Sequence, residues 1–418
     1  MNASASSPDH AFHFFCPCPR GLEQALADEL SALGAGETRT VPGGVECRGT
    51  LETAYRINLQ ARIPSRVLLR LLDRPCRDER TLYQLCRDTR WENWFSARQT
   101  IRVDVVAIRS PLKSLNFATL RIKDAIVDRF REQGGTRPSV DTHQPDVRIS
   151  AFLTAERLQL YLDLSGEPLF KRGWRNHQDR RVSAPLKENL AAGLLALSGW
   201  SQAVRAARQA DSPPPPAVGT PPLLDPFCGS GTIVIEAAQI LCDCPPGLNR
   251  RFGIEALKIH EAPLFLEIKK ELRCRADEGI ARAPRGQLAA SDLDPQAVAL
   301  ARDNLQLAGL PADLIRFDQA DAADMRPHQD AAGVIVTNPP YNERVSIPVE
   351  QWRAIGATLR NHFGGWQAFL LTSDRGLPGQ LGLRESRKTP LFNGAIECRL
   401  FQFSMRVRPI SPPDAPAD

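Results

Sequence analysis

The sequence predicts an α/β protein whose C-terminal half is a doubly wound parallel sheet, and three stretches carry that expectation. Leu223-Leu224-Asp225 is a short apolar run ending in an acid. It enters the turn Pro226-Phe227-Cys228-Gly229-Ser230-Gly231, and Thr232-Ile233-Val234-Ile235-Glu236-Ala237-Ala238 follows as a helix. Further on, Gly333-Val334-Ile335-Val336-Thr337 is an apolar, β-branched strand ending on Asn338-Pro339-Pro340-Tyr341. Between them lie two more strands tipped by acids, residues 287–291 before Asp292 and residues 314–317 before Asp321. A doubly wound sheet places its ligands at such carboxyl-terminal strand tips.

From the N-terminus, residues 12–16 read as a strand, and Pro19-Arg20-Gly21 leads into a helix. Its apolar face repeats at Leu22, Leu26, Leu30 and Leu33, and Gly34 stops it. Gly43-Gly44 turns a hairpin into Val45-Glu46-Cys47, a second helix covers 51–62, and a strand covers 67–71. This β-α-β-β-α-β order predicts a small ferredoxin-like sheet with helices on one face. A second α/β unit follows over 79–166, with a strand at 101–105, a helix at 116–131, and a hairpin of 147–150 with 158–162. That helix is predicted to bury Phe117, Leu120, Ile126 and Phe130 and to leave Arg121, Lys123, Asp124 and Asp128 in solvent. Pro185 opens the next helix, with Leu186, Leu190, Leu194 and Leu197 as its stripe. Residues 203–222, with Pro213 to Pro216 in their middle, read as a surface insertion without fixed structure. Asn393-Gly394 is a hairpin turn before a last strand at 396–403, and the tail from Pro409 is proline-rich and disordered.

A chain of 418 residues has room for two or three domains. Its net charge of +5 suits a polyanionic partner without requiring one. No apolar run is long enough to span a membrane, and the first ten residues lack the basic and apolar regions of a secretion signal, so a cytosolic (cytoplasmic) protein is expected. Cys16/Cys18 and Cys242/Cys244 are C-x-C pairs without further ligands at zinc spacing, so reduced thiols and no metal are expected.

Gly229 and Gly231, with only Ser230 between them, let the backbone approach a ligand, and the helix that follows offers free N–H groups. A dinucleotide site would want a third glycine where Val234 stands, and a P-loop would want a lysine near the helix start. A nucleotide-like ligand without a pyrophosphate fits better, S-adenosylmethionine being the commonest. Asp292 at its strand tip is placed to bind ribose hydroxyls, while Asp294 before Pro295 reads as a helix N-cap. Asp321 is placed to accept an adenine amino group, with Asp318 and Asp324 competing for that role.

With these two motifs in this order, the chain resembles the amino-directed methyltransferases that use S-adenosylmethionine. It is closest to the bacterial large-subunit rRNA guanine-N2 methyltransferases that carry an RNA-binding THUMP domain. The resemblance spans about residues 12–408. Cys18-Pro19-Arg20-Gly21-Leu22-Glu23 matches the opening of that family's N-terminal domain, and Ser165-Gly166-Glu167-Pro168-Leu169-Phe170-Lys171-Arg172-Gly173-Trp174-Arg175 matches its junction with the catalytic domain. The crossover from Pro245-Pro246-Gly247 and the hairpin around Asn393-Gly394 match as well. The resemblance implies a ferredoxin-like domain at 12–73, a THUMP domain at 74–165, a linker at 166–184 and a Rossmann-like class I methyltransferase domain at 185–408, between tails at 1–11 and 409–418.

For the site, the resemblance implies cofactor contacts at Asp225, Phe227, Gly229, Gly231, Thr232, Asp292, Asp321 and Asn338. Lys187 and Asn189 are lesser candidates. An exocyclic base amine is a weak nucleophile, so its hydrogens must be accepted in a geometry that draws the nitrogen towards tetrahedral. Asn338, through its side-chain oxygen, and the carbonyl of Pro339 are the expected acceptors, with Tyr341 stacked on a base that has left its helix or loop. RNA contacts are expected at Arg109 and Lys113 in a loop before a helix start, with an ordinary loop as the alternative, and at Lys171, Arg172 and Arg175 in the junction, where Phe170 and Trp174 either stack on bases or pack as a structural linker. Lys388, Phe392 and Asn393 are expected at the flipped base, with a plain turn as the alternative. The expected reaction is methylation of a guanine N2 in 23S rRNA or its assembly precursor. The rivals are a tRNA guanine-N2 methyltransferase, a DNA adenine-N6 methylase, and a non-catalytic ribosome-assembly factor.

Overall fold

The computed structural model describes residues 11–112, 114–175, 186–209, 219–340 and 347–407. Both predicted tails lie outside them, apart from Ala11 at the amino end. The chain divides into two compact units, Met1–Arg172 with Pro245–Cys274, and Gly173–Cys244 with Arg275–Asp418. The crossover at 245–274, expected inside the methyltransferase domain, therefore groups with the N-terminal half. Its contacts there are specific: the Gly247 N–H donates to the Leu59 carbonyl at 2.9 Å, and the Phe265 ring lies 5.1 Å from that of Tyr55.

In the first unit the elements run β1 (Phe12–Pro17), α1 (Glu23–Ala32), β2 (Gly36–Val41), β3 (Gly44–Gly49), α2 (Leu51–Gln60) and β4 (Leu68–Pro75). They continue as α3 (Glu79–Asp88), β5 (Ile101–Ala107), α4 (Leu115–Gly134), β6 (Val147–Leu153) and β7 (Arg157–Asp163). One sheet takes all seven strands in the order β2-β3-β1-β4-β7-β6-β5. Because β4 pairs antiparallel with β7, the sheet runs without a break through the expected boundary at 73/74, which falls inside β4. The Ser114 hydroxyl caps α4 by accepting the Phe117 N–H at 3.3 Å, and Gly135 ends it in the left-handed conformation at φ +75°. Its buried stripe is Ala118, Ile122, Ala125, Ile126, Val127 and Phe130. Phe117 and Leu120, expected inside, are 42% and 52% exposed. Ile126 and Phe130 are buried as expected, while in the first half of the helix the inward positions belong to Ala118 and Ile122.

In the second unit come α5 (Glu188–Leu197), α6 (Trp200–Gln209), β8 (Leu223–Asp225), α7 (Thr232–Leu241), and then α8 (Ala262–Arg282), which begins among residues grouped with the first unit. There follow β9 (Leu288–Asp292), α9 (Pro295–Leu307), β10 (Ile315–Gln319), β11 (Val334–Thr337) and α10 (Val349–His362). The last elements are β12 (Gln367–Thr372), α11 (Leu377–Leu381), β13 (Arg387–Asn393) and β14 (Ile396–Ser404). The sheet order is β10-β9-β8-β11-β12-β14-β13, parallel through β12 and closed by the antiparallel pairs β12/β14 and β14/β13. The chain winds outward from β8 to β10 and then returns to β11 on the other side of β8. That reversal is a topological switch point, where open α/β sheets bind ligands.

Two expectations are corrected here. Residues 203–209, read as part of an unstructured insertion, belong to α6, and the Trp200 indole N–H at its start donates to the Pro221 carbonyl at 2.8 Å. Val204 is buried, so this helix has an apolar face that the polar residues around it hid. The helix expected from Pro185 begins instead at Glu188. Pro185 itself, like residues 210–218, lies outside the described residues.

Candidate functional site

At the tip of β8, Asp225 is 1% exposed. Its Oδ1 accepts the Thr337 hydroxyl at 2.7 Å and the Phe227 N–H at 3.3 Å. Burial pushes its carboxyl up to about 7, against the pull of the Thr337 hydrogen bond. The turn that follows holds Gly229 at φ +52° and Gly231 at φ +80°, a region that favours glycine. Asp292, at the tip of β9, supports the turn from the side: its Oδ2 accepts the Gly229 N–H at 2.9 Å and its Oδ1 accepts the Asp294 N–H at 3.0 Å. From α9, the Asn304 side-chain amide donates to the Ser230 carbonyl at 3.0 Å.

The two glycines do different jobs. A Cβ on Gly231 would lie 3.0 Å from the Ala301 Cβ and 3.1 Å from the Ile235 Cδ1, so this glycine lets α7 pack against α9. A Cβ on Gly229 would meet nothing within 4 Å. Asp294 caps α9 by accepting the Gln296 N–H at 2.8 Å, as its place before Pro295 suggested.

Beyond β10, Asp321 Oδ1 accepts the Ala323 N–H at 2.8 Å, and Gln351 Nε2 reaches both carboxylate oxygens, at 3.1 and 3.3 Å. The Phe227 ring stands 6.0 Å from that of Trp352. At the end of β11, the Asn338 Oδ1 is buried and has no hydrogen-bond partner among the described residues. Leaving such an acceptor unpaired costs about 1–3 kcal/mol, which a bound donor would recover. Pro339 is buried and Pro340 exposed, while Tyr341 lies outside the described residues. Since β8 pairs with β9 on one side and β11 on the other, Asp225, the glycine turn, Asp292 and Asn338 share one end of the sheet.

Several expected contacts are placed elsewhere. Arg172, expected to face RNA, is 5% exposed and donates to the carbonyls of Leu169 and Arg62, each at 2.7 Å. Arg175 donates to the Thr232 hydroxyl and, at 3.2 Å, to the Leu186 carbonyl, with Glu188 at 3.5 Å. Burial lowers its pKa. It is an internal strut, and the Thr232 hydroxyl expected at the cofactor accepts from it. Trp174 is buried as well, which favours packing over base stacking at that position. Charge in a sequence does not reveal which guanidiniums will cap carbonyls. Lys171 is exposed and paired with Glu167 at 2.6 Å. Arg109 and Lys388 are exposed, Phe392 and Asn393 are half-buried, and Lys113 lies outside the described residues. Gln351, Trp352 and Asn304 had no signal in the sequence, since each acts through a contact between distant segments.

Among the described residues no helix is long and apolar enough to cross a membrane, and no cluster of His, Cys, Asp and Glu could hold a metal ion. Three family matches follow one another along the chain: an RlmL ferredoxin-like domain at residues 13–68, a THUMP domain at 76–163, and an RMKL-like methyltransferase domain at 217–402. The chain is 40% identical to the ribosomal RNA large subunit methyltransferase K/L of Syntrophotalea carbinolica, over 98% of this chain and 56% of that protein. It is 41% identical to the protein of the same name in Methylococcus capsulatus, over 94% of this chain and 51% of that one. The chain thus spans about half the length of the curated relatives it matches. Among solved structures, SMU.472 complexed with SAH superposes with a TM-score of 0.81 at 27% identity, covering 95% of this chain and 99% of that one. A predicted N6-adenine-specific DNA methylase from Listeria monocytogenes gives 0.80 at 27% identity, covering 95% and 97%.

Proposed function

We propose, from its RMKL-like methyltransferase domain preceded by a THUMP domain and an RlmL ferredoxin-like domain, that the chain methylates the N2 amine of a guanine in 23S rRNA. S-adenosylmethionine, when bound, supplies an electrophilic methyl group on a sulfonium. The residues present suit that cofactor. Gly229 leaves open space, Asp292 can accept from the ribose hydroxyls while its backbone contacts hold it still, and Asp321 is an acceptor for the adenine amino group.

The observation that carries the reading is the buried Oδ1 of Asn338, unpaired among the described residues. It accepts one hydrogen of the target amine, the Pro339 carbonyl accepts the other, and the nitrogen lone pair is freed from the ring. No strong base is needed, because the nitrogen becomes acidic only after it has received the methyl group, and its proton then leaves to water. Tyr341 stacks on the base in this scheme. Arg109, Lys113, Lys171, Lys388, Phe392 and Asn393 remain the candidate RNA contacts. Full-length K/L relatives are longer than this chain, so the rRNA substrate is part of the proposal.

Asn338→Ala tests the mechanism: methyl transfer is expected to fall by about 10²–10³-fold with cofactor binding retained, and an undiminished rate removes Asn338 from it. The likeness to a protein named as a DNA methylase supports a second reading, adenine-N6 methylation of DNA. Mass spectrometry of nucleosides from rRNA, tRNA and DNA of cells lacking this protein chooses between them. Loss of N2-methylguanosine from 23S rRNA alone is the expected result.

A further inference from the structure

Two neighbouring side chains of α10 brace two residues of the cofactor site. Trp352 is buried and backs the Phe227 ring, while Gln351 spans both oxygens of Asp321. With the Ala323 N–H on Oδ1 as well, the Asp321 carboxylate is gripped by donors from two separate segments. It cannot turn about its own Cβ–Cγ bond without losing one of them. An ionised carboxylate only accepts hydrogen bonds, so a carboxylate fixed in one plane selects a ligand group that donates. The amino group at C6 of adenine donates, whereas an oxo group at the same position accepts.

We propose that Gln351 is a positioning residue for the purine end of the cofactor, holding Asp321 as a fixed acceptor that selects an amino over an oxo group at C6. The inference rests on the cofactor reading given above. Without Gln351 the carboxylate keeps, among the described residues, only the Ala323 N–H and is free to rotate, so both affinity and selectivity fall. Nothing in this role touches the reacting nitrogen, and turnover with cofactor at saturation is unaffected.

Isothermal titration calorimetry with S-adenosylhomocysteine and S-inosylhomocysteine tests this on the full chain and on Gln351→Met, which keeps the side-chain length without its amide. The wild type is expected to prefer the adenosyl ligand. Gln351→Met should bind it about five- to tenfold more weakly, the loss of one hydrogen bond, and narrow the adenosyl-to-inosyl ratio by a similar factor. In methyl transfer the KM for the cofactor rises while kcat holds. An unchanged ratio in a Gln351→Met protein that melts like the wild type overturns the proposal, as does a fall in kcat with KM unchanged. A wild type that binds neither ligand overturns it together with the cofactor reading, and that result is seen before any variant is compared.

Discussion

The Thr337 hydroxyl donates a 2.7 Å hydrogen bond to Asp225 Oδ1, which ties the tip of β11 to the tip of β8 across the switch point of the sheet. Thr337 stands directly before Asn338, and Asp225 stands directly before the glycine turn. This bond adds to the β8/β11 pairing in holding the acceptor corner beside the ligand seat. Thr337→Val keeps the branched shape and removes the donor. It is expected to lower stability by about 1 kcal/mol, because the buried acceptor keeps only the longer of its two hydrogen bonds, from the Phe227 N–H. Chemical denaturation checks the loss, and calorimetry should show weaker cofactor binding in the same variant.

The Asp225 carboxyl is raised to about 7 by burial, and the sign of its effect on stability follows. Below the ordinary carboxylate range both the folded and the unfolded chain hold the proton, and the contribution of Asp225 is fully present. As pH rises from there to about 7 the folded chain alone holds it, so stability falls, by up to about 1.4 kcal/mol per pH unit. Asp225→Asn removes the titration and should flatten the profile in that window. Urea midpoints measured from about pH 4 to pH 8 make the comparison.

Gly231→Ala and Gly229→Ala should separate packing from binding. At Gly231 the new methyl meets Ala301 and Ile235 at 3.0 and 3.1 Å with the backbone at φ +80°, and a loss of about 2–3 kcal/mol is expected. At Gly229 the methyl projects into open space, so only the backbone term of about 1 kcal/mol applies. Cofactor affinity is where Gly229→Ala should show its larger effect. Equal stability losses with equal affinities would contradict the separation.

Arg172 and Lys171 are adjacent cations with opposite expected behaviour. Arg172→Met strips two buried carbonyls of their donor and should destabilise the protein by about 2–4 kcal/mol. Lys171→Ala loses one exposed ion pair with Glu167 and should change stability by less than about 1 kcal/mol. If Lys171 meets phosphate, its removal also lowers the salt dependence of RNA binding, which filter binding across a salt series measures.

Strands tipped by an acid or an amide were legible in the sequence because each is local: apolar run, turn residue, helix. The order of the two motifs was enough to place Asp225, Asp292 and Asn338 at one end of one sheet. Contacts between distant segments were not legible. Nothing near Gln351 signals that it will meet Asp321, and nothing in Lys171-Arg172 signals that one turns out and the other in. On α4 the second half of the stripe, Ile126 and Phe130, was legible, while at its start Ala118, too small to stand out among its larger neighbours, takes the inward place expected of Phe117.

The division of the chain at 172 and again at 245–274 bears on how the protein is made. Synthesis runs from the N-terminus, and a domain can finish folding only when its last segment is available. Tyr55 waits for Phe265 and Arg56 waits for Glu271, both supplied after β8 and α7 have already been translated. The contacts that join 245–274 to the N-terminal unit therefore form only after the start of the second sheet has been translated.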